Sequence, residues 1–322
     1  MNPKDTKMNK IIANGLICAL LGFSGALMAG EKIDEVVETK ADGRLYVDVM
    51  NGEVVIHTWD RNEVKVTGEL DDDAEGYQFD VSGDGRVVFK VEMPKRRWGG
   101  WNDDGSNLQF WMPKTNELRF EGVNVNVAAS GITGGTRINT VNGNVKADGL
   151  TKRIELETVN GKIKSTNLEG KIRINTVNGE IHDKDSKGVV KFETVNGDIN
   201  TNTRAQHVEI NNVNGDMDLN LAKIKELEIG TVNGDIELDI ELLDASRVFI
   251  STVGGDANIT FRGDVSAEFN IEAHSGGDIT NRLTKDKVKR DRYGPGESLR
   301  FKIGSGSSEV EIDTVGGDIR IE

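Results

Sequence analysis

A four-residue motif, Thr-Val-Asn-Gly, recurs along the chain at a near-constant step and limits the folds open to it. It stands at 140–143, 158–161, 176–179, 194–197 and 231–234. Asn212-Val213-Asn214-Gly215 fills the gap, and Thr252-Val253-Gly254-Gly255, His274-Ser275-Gly276-Gly277 and Thr314-Val315-Gly316-Gly317 are variants. The closing glycines are separated by steps of 18, 18, 18, 18, 19, 21, 22 and 40 residues. Such spacing marks a repeat architecture, in which one unit cannot bury its apolar face alone and its neighbours supply the core.

Each unit shares an inner pattern. Before the turn comes apolar-x-apolar-x-Thr, as in Ile154-x-Leu156-x-Thr158, Ile172-x-Ile174-x-Thr176 and Val190-x-Phe192-x-Thr194. This period of two predicts a strand with one buried face. After the turn comes a charged or amide residue and then Val145, Ile163, Ile181, Ile199, Met217 or Ile236. Leu168-Glu169-Gly170-Lys171-Ile172 echoes Val159-Asn160-Gly161-Lys162-Ile163, so a unit holds two short strands and two turns. Asn-Gly pairs ordinarily mark two-residue hairpins, which makes an antiparallel meander the rival fold. The constant register favours stacking instead, with Ile on Ile, Thr on Thr and Asn on Asn. The fold expected is all-β: a stacked-coil, β-helix-like β-solenoid of about 18-residue repeats over 113–322, after an N-terminal β region over 30–112. Nine coils spaced as sheet strands make a rod roughly 43 Å long. Proline is absent between residues 114 and 294, as unbroken ladders require. A Trp- and Gly-rich loop at 95–107 and a basic loop at 281–298 interrupt the pattern, and the last coil resumes at about Leu299.

The chain begins with Lys4, Lys7 and Lys10, then an apolar stretch from Ile11 to Ala29 closed by Leu27-Met28-Ala29. This reads as an export signal over 1–29, cleaved before Gly30. The single cysteine, Cys18, lies inside that stretch after Ile17, a poor site for lipid attachment, so the mature chain has neither disulfide nor thiolate metal site. No second segment is long and apolar enough to span a bilayer. The expected location is the periplasm or cell surface. A net charge of −14 over 322 residues argues against nucleic acid as a partner, because such affinity comes from neutralising phosphates.

Several stretches together resemble one family. They are Trp111-Met112-Pro113-Lys114, Leu118 to Gly122, the tandem TVNG-x-I units, the early Leu45 to Val54 copy of the pattern, and Gly304-Ser305-Gly306 with TVGGDI at 314–319. The chain resembles the adhesin-labelled β-strand-repeat domains, a family of unknown function, over nearly all of its mature length. That resemblance implies an exported, non-enzymatic β-repeat protein and brings no catalytic residues with it. The loop at 95–107 has no counterpart in the motif.

The candidate sites are surface columns. The residue after the turn glycine is acidic in the later units, at Asp198, Asp216, Asp235, Asp256 and Asp278, with Asp318 in the last. Stacked carboxylates favour a bound cation, and hard oxygen ligands suit Ca²⁺; plain turn chemistry with side chains in water is the preferred reading. The outward column Asn139, Glu157, Asn175, Glu193 and Asn211 offers amides and carboxylates to sugar hydroxyls or simply to solvent. The pairs Asn142-Gly143, Asn160-Gly161, Asn178-Gly179, Asn196-Gly197, Asn214-Gly215 and Asn233-Gly234 read as a structural turn ladder, and the Thr column as an internal hydroxyl ladder. Trp98 and Trp101, with Arg96 and Arg97, offer a flat aromatic surface for glycans or a partner, or cap the open end of the stack. The run Arg282, Lys285, Lys287, Lys289, Arg290 and Arg292 is a solvated loop or an anion contact. The four histidines have no metal-binding spacing, and no nucleophile elbow, phosphate loop or triad occurs. The function expected is therefore a non-catalytic cell-envelope scaffold or adhesin-like binding module, with an envelope glycan or envelope protein as partner. A polysaccharide-binding or polysaccharide-cleaving β-helix protein and a cation-stabilised rod are the alternatives.

Overall fold

The computed structural model describes residues 31–94 and 105–322. Among them every regular element is a strand, and the strands join in one 25-stranded sheet. No helix among the described residues is long and apolar enough to cross a membrane.

The repeat unit is one coil made of a long strand, a corner and a short strand. Thr151–Asn160 and Ile163–Thr166 form one; Glu169–Asn178 and Ile181–Lys184 the next; Lys187–Asn196 and Ile199–Thr203 the third. Successive coils pair in parallel with no slip. Ile154 faces Ile172 and then Val190, while Leu156 faces Ile174, then Phe192, then Ile210. This is the solenoid and excludes the meander, whose hairpins would pair antiparallel. The alternating pattern explains the choice. With a side-chain period of two and a fixed 18-residue step, only parallel stacking puts every apolar residue inward at the same height. Those residues form one continuous core, and each fully buried aliphatic or Phe side chain contributes about 1.5–3 kcal/mol.

The second corner of the coil is left-handed. Gly149, Asn167 and Asp185 stack there with φ of 62°, 54° and 60°. Asn and Asp are the side chains that tolerate this conformation best, which is why the half-repeat keeps those types without a fixed motif.

Both ends depart from sequence order. Arg44–Trp59 is a coil in itself, yet it lies between later segments. On one side it pairs in parallel with Glu117–Ser130, and on the other with Arg86–Glu92 and Ser106–Pro113. The parallel ladder therefore runs through residue 112 without a break. Antiparallel strands cover the outer face of this end: Gly76–Val81 on Arg86–Glu92, Glu63–Glu69 on Ser106–Pro113, and Lys32–Glu38 on Glu63–Glu69.

The C-terminal end mirrors this. The chain's last coil, Ser308–Thr314 with Ile319–Ile321, slides between Ile236–Thr252 with Ala257–Arg262 and Ala267–Ala273 with Ile279–Asn281. All four pairings are parallel. The expectation that the last coil begins at Leu299 is corrected. Leu299 belongs to Glu297–Lys302, which pairs antiparallel with Ala267–Ala273 and covers the outermost coil. An antiparallel strand cannot template another coil, so it closes an edge that would otherwise recruit further strands.

Candidate functional site

The turn column is a continuous amide ladder. Asn142 Nδ2 donates to Asn124 Oδ1, Asn160 to Asn142, Asn178 to Asn160, Asn196 to Asn178, Asn214 to Asn196 and Asn233 to Asn214, at 2.7–3.0 Å. The ladder reaches two rungs beyond the sequence reading. Asn124 Nδ2 donates to Asn51 Oδ1, and Asn51 Nδ2 to the buried carboxylate of Asp71 at 3.1 Å. Asn124 is followed by Val125 and not by glycine, and Asp71 carries no repeat signal, so only the topology reveals them. At the other end the next coil places Gly254 where Asn would stand. Aligned amides polarise one another and strengthen the chain of bonds.

The Thr column is internal, as its phase predicted. Thr140, Thr158, Thr176 and Thr194 are buried. The Thr158 hydroxyl donates to Gly143 O at 3.1 Å, and that of Thr140 to Val125 O at 3.2 Å.

The acidic column serves the backbone of its neighbour. Asp198 Oδ1 accepts from the backbone N–H of Asp216, Asp216 from that of Asp235, and Asp235 from that of Asp256, at 2.9–3.0 Å. Because the last coil is intercalated, Asp256 then accepts from Asp318, and Asp318 from Asp278. The order in space is thus 256, 318, 278. Asn126 and Asn144 do the same service earlier, for Asn144 and Lys162. Lys162 and Glu180 lack a side-chain acceptor of that reach and form an ion pair. With His182 and Lys162 both bonded to it, the exposed Glu180 carboxyl is held down to about 2.

Two outward columns run side by side before the turn. Asn139, Glu157, Asn175, Glu193 and Asn211 form one, with Lys191 bridging Glu193 and Glu209 at 3.0 and 2.7 Å. The other is the valine of each motif. Val141, Val159, Val177, Val195, Val213, Val232, Val253 and Val315 are each 37–46 % exposed. They make an apolar ridge along one edge of the rod. The valine is present in every copy of the motif except His274-Ser275-Gly276-Gly277, and its outward phase follows from the same alternation that turns the Thr inward.

On the short-strand side, Lys164, His182, Lys184, Asn200 and Asp218 line a shallow groove. Beneath it lies Asp183, an inward-facing carboxylate at a position filled by Ala147 two coils earlier and by Leu219 two coils later. Burial pushes its carboxyl above the ordinary aspartate range. Hydroxyls of Ser165 and Ser186, at 2.5 and 2.6 Å, and of Thr201, at 3.4 Å, favour the charged form and offset part of this. The folded pKa exceeds the unfolded one, so wild-type stability falls as pH rises through the interval between them. Asp183→Asn keeps an acceptor for the hydroxyls and removes the buried charge. It is expected to raise the Tm by about 2 °C at pH 7, equivalent to about 1 kcal/mol. The gain should vanish below about pH 4, near the unfolded aspartate pKa. Calorimetric scans across pH read this directly, and a variant less stable than wild type at pH 7 would show that the charge is compensated.

Trp98, Trp101, Arg96 and Arg97 lie outside the described residues. Of the basic run, Arg282 pairs with Glu322 and Arg290 with Glu297 and Asp278, so those two cations are engaged.

With this geometry in view, the comparison with known families is specific. Residues 189–322 match the Toastrack DUF4097 family. It is a domain of unknown function, and the match bears out the resemblance to an adhesin-like repeat family. The Toastrack stretch starts midway through the solenoid and takes in the intercalated last coil; the strict 18-residue coils before Val189 lie ahead of it. The chain is also similar, at 13 % identity over 90 % of its length and 99 % of the other, to a solved "putative cell adhesion protein" from Clostridium sporogenes. The TM-score is 0.23, too low to argue from. No curated protein matches the chain. The Toastrack match and the repeat fold fit a non-catalytic, adhesin-like module.

Proposed function

We propose that the chain is an exported, non-catalytic binding module of the cell envelope, working as an adhesin-like scaffold, and that its docking face is the valine ridge. The ridge carries the reading. Eight exposed valines in register, flanked by an amide and carboxylate column, give a linear apolar strip with a polar border. An extended segment of an envelope protein fits such a strip better than a glycan does, because aliphatic side chains offer no hydrogen bonds to sugar hydroxyls. The signal-like residues 1–29 support export, and the fit to an adhesin-like module supports a role in binding over turnover.

Val159→Lys, Val177→Lys and Val195→Lys combined should weaken binding of the purified protein to isolated envelope fractions by about tenfold or more, which corresponds to about 1.4 kcal/mol. The substitutions point to solvent, so the Tm should stay within about 2 °C. Undiminished binding would remove the ridge from consideration.

The short-strand groove favours a second reading, polysaccharide binding. Lys164, His182 and Lys184 present cationic and hydrogen-bonding groups from adjacent coils. Asp183 beneath them faces inward to hydroxyls, so it is not placed as a base for cleavage, and this alternative concerns binding alone.

A further inference from the structure

The intercalated last coil brings Asp313 beside Glu272 and His274, which precede it by 41 and 39 residues. Glu272 lies on Ala267–Ala273 and His274 directly follows it; Asp313, on Ser308–Thr314, is the register partner of Glu272. One ligand atom from each lies within 4.8 Å of the others. His274 Nε2 stands 4.0 Å from Glu272 Oε2. Arg300 donates from Nη2 to Glu272 Oε1 at 2.7 Å and from Nε to Asn270 Oδ1 at 2.7 Å. One oxygen of Glu272 is therefore held, and the other is turned toward the imidazole.

We propose that Glu272, His274 and Asp313 bind a divalent transition-metal ion, Zn²⁺ foremost, and that this ion staples the chain's last coil to the coil outside it. An imidazole and two carboxylates form the N/O donor set that Zn²⁺ takes at about 2.0–2.2 Å, with positions left for water. The donors project from neighbouring strands of one sheet, so only side-chain rotation is needed to close on an ion. Register partners with like charge repel, and of the two carboxylates Arg300 engages Glu272; a cation between the carboxylates removes that repulsion. Ca²⁺ suits the cluster less, since it takes six to eight oxygens. The site is separate from the aspartate column, where Asp198, Asp216, Asp235, Asp256 and Asp318 already accept backbone N–H groups. Its ligands come from both sides of the intercalated seam, so the ion binds only the closed stack and stabilises it by mass action.

The test uses the purified full chain, stripped with chelator and titrated with ZnCl₂ by calorimetry, with thermal unfolding in parallel. The expected result is one Zn²⁺ per chain and a Tm several degrees higher at saturation. CoCl₂ should give a visible absorption band from imidazole and carboxylate ligation. His274→Ala and Asp313→Asn should each weaken binding by about tenfold or more, while Asp256→Asn, in the aspartate column, leaves it unchanged. The positions are partly exposed, and the metal-free Tm of each variant establishes that it folds. Absence of saturable Zn²⁺ binding overturns the proposal, and so does binding of undiminished affinity in both variants.

Discussion

A chain ending at Gly304 is expected to lose the whole C-terminal end of the stack, although only two short strands are removed. Those strands are Ser308–Thr314 and Ile319–Ile321. They pair on both sides: Val310 with Val248 and Phe269, Ile312 with Ile250 and Ile271, and Ile319 with Ala257 and Ile279. Val310, Ile312, Ile319 and Ile321 are fully buried. At about 1.5–3 kcal/mol each, these four alone amount to roughly 6–12 kcal/mol, an upper figure because the unfolded chain is already partly compact. That is comparable with the whole stability of an ordinary domain. The loss also parts the coils on either side, because Ala267–Ala273 reaches Ile236–Thr252 through the missing strand. In a nearest-neighbour stack the damage stays local. The truncated chain should therefore melt in two steps, with coils up to about Gly230 near the original midpoint. Limited proteolysis should cut between Arg262 and Lys302, where the full chain resists. A single unchanged transition without new cleavage would mean that the seam closes without its last coil.

The same construction governs how the chain folds. The first complete coil, Arg44–Trp59, finds its partner on Glu117–Ser130, so Asn51 meets Asn124 across 73 residues. Between these ends, contacts span one repeat of 18 or 19 residues. Closing two long loops at the termini costs more entropy than adding coils in the middle. Coils from Thr136 to Gly230 are therefore suited to form first, with the two ends closing over them.

These ends also mark the limit of what the sequence disclosed. The middle of the solenoid was legible because three signals coincide there: a period of two along the strand, a fixed step between Gly residues, and a residue type repeated at each height. Thr158, Thr176 and Thr194 sit inward for the reason their phase predicted, and Asn160 and Asn178 stack as expected. Linear order misled where the chain doubles back. Asp278 and Asp318 exchange places, and Leu299 lies in an antiparallel cover strand, because nothing in a local pattern says which neighbour a strand will join. The Glu272, His274 and Asp313 cluster depends on that exchange and was hidden for the same reason. Asp183 and the valines differ from these. Their phase gave Asp183 as inward and Val177 as outward, so both followed from the alternation already in use.

Gly179→Ala is expected to be among the most damaging single-methyl additions in the stack. A Cβ on Gly179 would lie 1.9 Å from the carbonyl oxygen of Gly161 and 2.7 Å from its carbon. The obstacle is backbone of the preceding coil, which cannot swing aside as a side chain can. A Cβ on Gly161 would likewise lie 2.0 Å from Gly143 O, one on Gly197 2.0 Å from Gly179 O, and one on Gly215 2.3 Å from Gly197 O. The glycine column therefore sets how closely the coils approach at this corner. Conformational freedom is a secondary reason at Gly215 and Gly234, with φ of 135° and 148°. To admit the methyl, two coils must separate, and the separation strains the Asn178–Asn160 and Asn196–Asn178 rungs beside it. A cost of about 3 kcal/mol or more follows, with a fall in Tm of roughly 6 °C or more. Gly83→Ala is the matched control: a Cβ there has nothing within 4 Å, so its change should stay within about 0.5 kcal/mol. If the two variants melt together, close approach does not explain the glycine column, and its recurrence must be traced to the flexibility it gives the unfolded chain. If they separate as expected, the Gly of Thr-Val-Asn-Gly is the residue that fixes the coil spacing, and the amide ladder, the aspartate rungs and the valine ridge all inherit their spacing from it.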